Sequence, residues 1–253
     1  MKVLATYSIK GGVGKTTSAV NLAREAAVGG SRVLVWDLDP QGAATYFFRI
    51  RPKVKGGTER LVGAKGELAP HVRASDFPGI HVVPADFSLR HLDLQLDAGK
   101  RPTQRLASLL AGVGDRYDVA ILDCPPSISL ASESVFGAAD ALLVPVIPST
   151  LSMRTLVQLG DFLGRQDAAP LLLPYFSMVD GRKRLHREVI DAMITAGRPP
   201  VIFSIHSFTE NWRGWRRRRG RRSSPARGWR RWRRATRIGG GLERGSGAAG
   251  RRG

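Results

Sequence analysis

Short, almost uninterrupted apolar runs recur along the chain, and the segments between them are longer and more polar. The runs lie at residues 3–7, 32–38, 79–85, 117–123, 140–146, 170–177 and 200–206. A strand that is buried on both faces of a parallel sheet is apolar throughout, whereas a half-exposed strand alternates apolar with polar residues. We therefore predict seven strands of the buried kind.

Helical spacing appears between these runs. Leucine, valine, isoleucine and methionine recur three or four residues apart at 103–113 and 182–196, and we also predict helices at 18–27 and 151–165. Strands that alternate with helices predict an α/β fold, in which a doubly wound, mostly parallel sheet carries helices on both faces. The remaining connections carry little predicted structure: a loop at 39–45, a basic connector at 49–57, and weak helical propensity at 58–68.

A glycine-rich turn links the first strand to the first predicted helix. It spans residues 8–17, and its glycines are Gly11, Gly12 and Gly14. Glycine lets backbone N–H groups turn inward around an anion, and the following helix adds unpaired donors and partial positive charge. Lys15 is then placed to reach the β- and γ-phosphates of a nucleotide, and the Thr16 hydroxyl to coordinate Mg²⁺. The alternative is an ordinary glycine-rich turn with two surface lysines.

This turn departs from the usual phosphate-binding pattern G-x-x-x-x-G-K-[ST]. The first glycine of that pattern would stand at position 9, where the chain has Ile9, and a second lysine, Lys10, enters the loop. The resulting form is x-K-G-G-x-G-K-[ST].

Acidic residues follow two of the apolar runs. Asp37 and Asp39 lie two residues apart after the second run, and Asp123 ends the fourth. The carboxyl ends of parallel strands meet at one edge of the sheet, so we expect these carboxylates beside the glycine-rich turn. They would repel a nucleotide unless Mg²⁺ or a water lay between them and the phosphates. For Asp37 and Asp39 the alternative is a Pro-Gly turn with solvating acids.

Three motifs together resemble the ParA/MinD family of P-loop ATPases, and the resemblance covers about residues 1–206. They are the deviant glycine-rich turn, the unbroken Asp37-Leu38-Asp39-Pro40-Gln41-Gly42, and Asp123-Cys124-Pro125-Pro126-Ser127. The resemblance implies an ATP-dependent homodimer with ATP and Mg²⁺ as cofactors. It implies that Lys10 reaches across the dimer interface to the partner's nucleotide, and that Asp39 orients or activates the attacking water.

The resemblance also assigns candidate roles to the remaining site residues. The catalytic candidates are Lys10, Lys15 and Asp39. The nucleotide-binding candidates are Gly11, Gly12, Val13, Gly14, Lys15, Thr16 and Thr17, with Met178 and Asp180 near the adenine. The metal candidates are Thr16, Asp37 and Asp123. For Met178, packing in the core is an equal alternative.

The implied function is a ParA-type switch in chromosome or plasmid partition or in intracellular positioning. The expected partners are non-specific DNA and a ParB-like protein that stimulates hydrolysis. One alternative is a metabolic P-loop enzyme of the cobyrinic-acid or dethiobiotin synthetase type, against which Lys10 and the unbroken 37–42 motif argue. Another is a nucleotide-binding protein that no longer hydrolyses ATP.

The charge is distributed very unevenly. The whole chain of 253 residues carries +19, but residues 207–253 hold sixteen arginines against two glutamates, so residues 1–206 carry only +5. We predict a P-loop ATPase domain at 1–206 and an Arg/Gly/Trp-rich tail at 207–253 that lacks the apolar residues for a packed core. Such a tail is suited to single-stranded nucleic acid or anionic membranes. A frameshift in a GC-rich gene would produce the same composition.

The remaining composition excludes several classes. Cys124 is the only cysteine, which rules out an internal disulfide framework and favours a small buried residue over a redox role. The five histidines are scattered without ligand spacing. No apolar run reaches the length of a membrane span, and the first strand leaves no room for a signal peptide. We expect a cytoplasmic protein, and a nucleoid-associated one if it binds DNA.

Overall fold

The computed structural model describes residues 1–166 and 168–195. Its strands are β1 (Lys2–Thr6), β2 (Val33–Asp37), β3 (Arg73–Ala74), β4 (Ile80–Val83), β5 (Val119–Asp123), β6 (Ala141–Val146) and β7 (Leu171–Phe176). Its helices are α1 (Lys15–Val28), α2 (Ala43–Phe47), α3 (Gly57–Val62), α4 (Leu92–Asp97), α5 (Arg105–Ala111), α6 (Leu130–Ala138), α7 (Thr150–Leu163) and α8 (Arg184–Thr195).

The strands form a single sheet in the order β3-β4-β2-β5-β1-β6-β7. Every pairing is parallel except that of β3 with β4. The register aligns Asp123 with Thr6 on one side and with Asp37 on the other. The predicted α/β fold with a mostly parallel sheet is confirmed, and its central strands bring the three acidic and hydroxyl side chains to one edge.

Alternate residues of the central strands enter two cores on opposite faces of the sheet. Val33 and Val35 of β2 join the core beneath α1 and α2, whereas Leu34 and Trp36 join the core beneath α3 to α7. All four side chains are fully buried. Because each buried side chain of this size contributes roughly 1.5–3 kcal/mol, the two cores hold the strand ends rigidly at the site.

Several elements differ from the sequence-based expectations. Helix α2 begins at Ala43 inside the segment predicted as a loop, and α3 forms where helical propensity is weak. Helices α4 and α6 and the short antiparallel β3 were not predicted. Tertiary contacts fix these elements: Thr45 in α2 donates from its amide and hydroxyl to Asp37, and the Ala131 amide at the start of α6 donates to Asp93.

The predicted strand at 200–206 and the tail at 207–253 lie outside the described residues. The division of the chain at residue 206 therefore stays a prediction.

Candidate nucleotide-binding site

The glycine-rich turn sits at the carboxyl edge of the sheet between β1 and α1. Gly12 and Gly14 adopt the left-handed backbone conformation, with φ of 68° and 95°. A Cβ atom at Gly14 would lie 3.2 Å from Ser177 Oγ, so both the backbone conformation and the tight contact disfavour a side chain there. Helix α1 begins immediately afterwards, and its first N–H groups have no intrahelical partner. The turn thus has the geometry of an anion-binding loop.

Lys15 is buried at the start of α1, and its ammonium faces the acidic residues. Its Nζ donates to the Lys10 carbonyl oxygen at 3.2 Å. Burial lowers the pKa of Lys15, while Asp123 and Asp39 counteract part of that effect. An ammonium partly stripped of water gains from a phosphate, because the phosphate replaces the lost hydration with a charge-assisted hydrogen bond.

Asp123 at the end of β5 has one oxygen in use and one that is unpaired. Thr6 Oγ1 donates to Oδ1 at 3.1 Å, and the Thr16 side chain lies near enough to lower the pKa of this carboxyl group. Oδ2 is buried and has no hydrogen-bond partner among the described residues. The pKa of Asp123 is raised to about 7, chiefly by burial; the nearby Asp37 and Asp39 add to the rise, and the threonine side chains Thr16 and Thr6 oppose it.

The unpaired carboxylate oxygen beside a threonine hydroxyl fits a hard divalent cation. Mg²⁺ prefers oxygen ligands and is commonly held by one or two carboxylates together with substrate phosphates rather than by a complete protein cage. Among the described residues, no group of three or more His, Cys, Asp and Glu side chains is arranged to hold a metal by itself. Thr16 and Asp123 would therefore share a Mg²⁺ ion with the phosphates of a nucleotide.

Asp37 lies beside Asp123 but uses both oxygens within the protein. Oδ2 accepts from the Thr45 amide at 2.8 Å and from Thr45 Oγ1 at 2.7 Å, and Oδ1 accepts from the Asp39 amide at 3.2 Å. Burial raises the pKa of Asp37 to about 6, although these hydrogen bonds oppose the shift. Asp37 thus fixes the loop that carries Asp39, and contact with a metal through water is compatible with this arrangement.

Asp39 is half-buried in the turn that precedes α2. Its Oδ1 accepts from the Gln41 amide at 2.9 Å, and its carbonyl accepts from the Gly42 amide. The carboxylate contributes to the electrostatic field on Lys15 and Asp123. Asp39 therefore belongs to the same polar cluster, on a loop whose position Asp37 sets.

Lys10 turns away from this cluster toward α7. Its Nζ lies 3.4 Å from Ser152 Oγ, and Ser152 in turn pairs with Ser149 at the start of the helix. The Lys10 side chain is half-buried in this arrangement. Within one copy of the chain, the Lys10 ammonium thus lies apart from the Lys15 ammonium. Lys15 contacts Lys10 only at the backbone carbonyl oxygen.

The segment after β7 contacts the glycine-rich turn directly. Ser177 Oγ donates to the Val13 carbonyl at 2.9 Å. Met178 is 58% exposed and has a φ of 53°, so the alternative of core packing for this residue is wrong. The Asp180 carboxylate pairs with Arg182, and the Asp180 amide donates to His186 Nδ1. Met178 and Asp180 therefore lie on an exposed loop next to the turn.

Sequence reasoning missed several polar residues that support the site. Thr6 and Thr45 hold Asp123 and Asp37, Ser177 holds Val13, and Tyr175 pairs with Ser18 of α1 through their hydroxyls. The only sequence signal for Thr6 is a hydroxyl residue at the end of an apolar strand. No local sequence pattern marks Thr45, because its function is to hold Asp37 through a contact across a turn.

Two further expectations can be compared with the structure. Cys124 is buried, and burial raises the pKa of its thiol well above the usual value, which agrees with a small packing residue. In the described part of the chain, no helix combines the length and apolar character that crossing a membrane requires.

The sheet order, the glycine-rich turn and the carboxylates at its edge define a P-loop nucleotide-binding protein of the α/β class. A model of the AAA domain family matches residues 1–168. The chain belongs to this family. The chromosome partitioning protein ParA of Caulobacter vibrioides is 36% identical over 167 residues, which cover 63% of this chain and 61% of that protein. The resemblance to ParA-type ATPases is thereby confirmed.

Two solved structures extend the comparison. Cobyrinic acid a,c-diamide synthase from Mycobacterium smegmatis, with bound ATP analog and magnesium, has a TM-score of 0.75 and 26% identity, covering 87% of this chain and 97% of that one. The ATP complex of a single-residue variant of Cyanothece McdA has a TM-score of 0.65 and 26% identity, covering 77% and 78%. The chain spans only 44% to 63% of the length of several curated relatives.

Proposed function

We propose that this protein binds and hydrolyses MgATP, and that two copies associate around the nucleotide. The observation that carries the proposal is the buried Asp123 Oδ2, which lacks a hydrogen-bond partner among the described residues and lies beside Thr16 and the glycine-rich turn. A buried, unpaired carboxylate oxygen is costly unless a cation occupies it. A Mg²⁺ ion shared with nucleotide phosphates would supply that partner.

Each site residue then has a defined task. The backbone of residues 11–17 and the Lys15 ammonium hold the phosphates, while Thr16 and Asp123 hold Mg²⁺, and Asp37 stabilises the Asp39 loop and the waters of the metal. When bound, the metal neutralises charge on the phosphate oxygens. Asp39 orients the attacking water, and Lys10 leaves Ser152 to reach the nucleotide of the second copy. Met178 and Asp180 contact the base.

The names of the relatives support a proposal for the biological role. A Caulobacter relative is named a chromosome partitioning protein, and a relative in Treponema pallidum a chromosome-partitioning ATPase. We infer a role in chromosome or plasmid partition or in intracellular positioning, with non-specific DNA and a ParB-like stimulating protein as partners. The protein would act in the cytoplasm, in part on the nucleoid.

Steady-state ATP turnover in the presence and absence of Mg²⁺ tests the proposal. We expect turnover that requires Mg²⁺ and falls by at least about a hundredfold in Lys15→Ala and in Asp39→Ala, because each removes charge or water positioning at the transferred phosphate. Lys183→Ala, which removes an exposed lysine of the loop before α8, is the matched control. Turnover that persists in the Lys15→Ala, Asp39→Ala double variant would disprove the assignment.

A second candidate is favoured by the structural similarity to cobyrinic acid a,c-diamide synthase. On that hypothesis the same site would activate a carboxylic acid for amidation. Lys10 and the unbroken 37–42 motif argue for the first candidate. ATP turnover that depends on cobyrinic acid and an ammonia donor would favour the synthetase, whereas turnover without them would favour the dimeric switch.

A third candidate is a protein that binds ATP without hydrolysing it. It predicts MgATP affinity that is lost in Lys15→Ala, with no phosphate release under any condition. Binding and turnover measured on the same preparation separate this candidate from the first.

A further inference from the structure

Residues 46–60 form an exposed surface, which we call the basic–aromatic surface. It begins with Tyr46 and Phe47 at the end of α2 and continues through alternate cations at Arg49, Arg51, Lys53 and Lys55. None of the roles assigned above uses it.

The excess positive charge of the domain is concentrated here. Residues 46–60 contain five cations and one anion, a net charge of +4, whereas all residues 1–206 together carry +5. The rest of that range therefore carries only +1. A domain that places most of its excess charge on one short segment presents a local positive field rather than a generally basic surface.

These cations are exposed and almost free of internal partners. Arg51, Lys53 and Lys55 form no ion pair with any residue that the structure describes. Arg49 lies 3.8 Å from Asp76, but both side chains are more than 60% exposed, and such pairs contribute little.

A second group of cations among the described residues differs in its pairing. Near α8, Arg182 pairs with Asp180 at 3.0 Å and Arg184 with Glu188 at 2.6 Å. Part of the charge of that cluster is therefore already neutralised within the protein.

Exposed aromatic rings accompany the free cations. Tyr46 is 80% exposed and Phe47 is 54% exposed, with ring centroids 6.4 Å apart. Phe87, 66% exposed, lies close by, since its neighbour Ser88 accepts a hydrogen bond from the Thr58 amide. The Arg90 guanidinium lies 4.1 Å from the Phe87 ring centroid. Three exposed rings among cations offer stacking surfaces as well as charge.

The backbone of this segment is anchored, which distinguishes it from a solvated loop. The Val54 amide donates to Asp86 Oδ2 at 2.6 Å, and the Val54 side chain is only 4% exposed. Thr58 Oγ1 and Ser88 Oγ lie 2.9 Å apart. The cations are thus displayed from fixed positions on both sides of a buried anchor.

The pKa of His71 indicates that several of these cations lie near one another. Burial lowers the pKa of His71, and Arg73, Arg60 and Lys55 lower it further. Lys55 and Arg60 belong to the basic–aromatic surface, and Arg73 belongs to β3. Because all three charges act on the same imidazole, they lie around one region of the surface.

We propose that the basic–aromatic surface binds single-stranded nucleic acid, with the cations on backbone phosphates and Tyr46 and Phe47 stacked on unpaired bases. Cations alone would suffice for duplex DNA, whereas exposed rings gain only from bases that are not already stacked in a duplex. The proposal is separate from the nucleoid DNA partner of the proposed function and requires no ATP hydrolysis.

Fluorescence anisotropy with labelled oligothymidine and a duplex of equal length tests the surface in the full chain. We expect tighter binding of oligothymidine. Tyr46→Ala, Phe47→Ala should weaken it by at least about fivefold, since base stacking contributes roughly 1–3 kcal/mol for each base. Arg51→Gln, Lys53→Gln should lower the slope of log K against log salt by about 1.4, the value for two phosphate contacts on a single strand.

The matched control is Lys183→Gln, Arg187→Gln, which removes the same charge from the exposed cluster near α8. It should leave the difference between single strand and duplex unchanged. A larger effect of the control pair than of Arg51→Gln, Lys53→Gln would overturn the proposal.

Cross-linking separates this surface from the arginine-rich segment at 207–253. An oligonucleotide with 5-iodouracil, irradiated on the full chain and analysed by mass spectrometry, should label the peptide that contains Tyr46 and Phe47. Labelling confined to peptides of 207–253, equal affinity for duplex, or variants that change only self-association would each overturn the proposal. Binding that persists in Lys15→Ala while ATP turnover is lost separates its outcome from that of the proposed ATPase.

Discussion

At the scale of single residues, Asp123 combines a buried position, one unpaired oxygen and one oxygen that accepts from the Thr6 hydroxyl. Its folded-state pKa of about 7 lies above the ordinary value of 3.8. Between these values the folded chain holds a proton that the unfolded chain releases. The stability that this proton supplies is complete below about pH 4 and is lost as the pH rises through about 7.

We therefore predict that the contribution of Asp123 makes the protein without ligands less stable at pH 8 than at pH 5, by on the order of a few kcal/mol. Asp123→Asn removes the titrating group and should flatten this dependence, although Asp37 contributes a similar trend. Urea unfolding over a pH series measures it. Asp97→Asn, at an exposed carboxylate, is the control, and equal pH profiles for wild type and Asp123→Asn would contradict the prediction.

Gly14 is a second residue whose local geometry determines the effect of a substitution on stability. Its φ of 95° disfavours a side chain, and so does the distance of 3.2 Å that would separate an added Cβ atom from Ser177 Oγ. Gly14→Ala should lower the free energy of unfolding by about 1–2 kcal/mol. Gly11 has open space around its Cβ position and no positive φ, so Gly11→Ala should cost clearly less. Thermal unfolding of the two variants compares them directly, and equal losses would show that the constraint lies elsewhere.

At the scale of elements, Thr45 connects three segments through one side chain. Its hydroxyl donates to Asp37 at the end of β2 and accepts from the Ala85 amide at 2.9 Å, in the loop after β4. The next residue, Asp86, accepts from Val54 in the basic–aromatic surface. Hydrogen bonds on the adjacent residues Ala85 and Asp86 thus link the acidic edge of the site to that surface.

Thr45→Val keeps the shape of the side chain but removes both hydroxyl hydrogen bonds. We predict a loss of about 1–3 kcal/mol in the free energy of unfolding, because the buried Ala85 amide loses its partner and Asp37 Oδ2 keeps only the backbone amide of residue 45. Thr155→Val is the control, since the Thr155 hydroxyl donates to Leu151 within α7. Urea unfolding measures both, and a cost no larger than that of the control would contradict the structural role of Thr45.

Element prediction succeeded where the local pattern was strong and failed where an element depends on contacts with other elements. Strands β1, β2, β4, β5, β6 and β7 and helices α1, α5, α7 and α8 match their predictions within a few residues. Helix α2 is short and depends on Asp37, and α6 depends on Asp93. Asp93 and Ala131 lie 38 positions apart, and the contact between Asp37 and Thr45 crosses a turn without helical spacing, so periodicity alone does not predict these helices.

At the scale of the whole molecule, one copy of the chain leaves Lys10 outside its own phosphate site. Its ammonium lies beside Ser152 at the start of α7, whereas Lys15 faces the acidic cluster. A lysine that serves the site of a second copy would be arranged in this way. Association would then depend on ATP and on Lys10 together.

We predict that MgATP shifts the wild-type chain from monomer to dimer and that Lys10→Ala prevents the shift, because the variant lacks the charge that contacts the second nucleotide. Light scattering coupled to gel filtration, with and without MgATP, measures this. Lys183→Ala removes an exposed lysine elsewhere and should dimerise normally. A Lys10→Ala chain that still dimerises with MgATP would exclude the proposed role.

The sequence by itself determined the chemistry of the phosphate-binding turn, the identity of the acidic residues and the class of fold, because each depends on residues that are adjacent or regularly spaced. Only the tertiary structure decided which side chains support them. Thr6 meets Asp123 across 117 positions, Thr45 meets Ala85 across 40, and Ser177 meets Val13 across 164. Hydrogen bonds over such separations form only after the sheet has set its strand order, and the same order leaves the cations and rings of residues 46–60 exposed on an anchored segment beside the site.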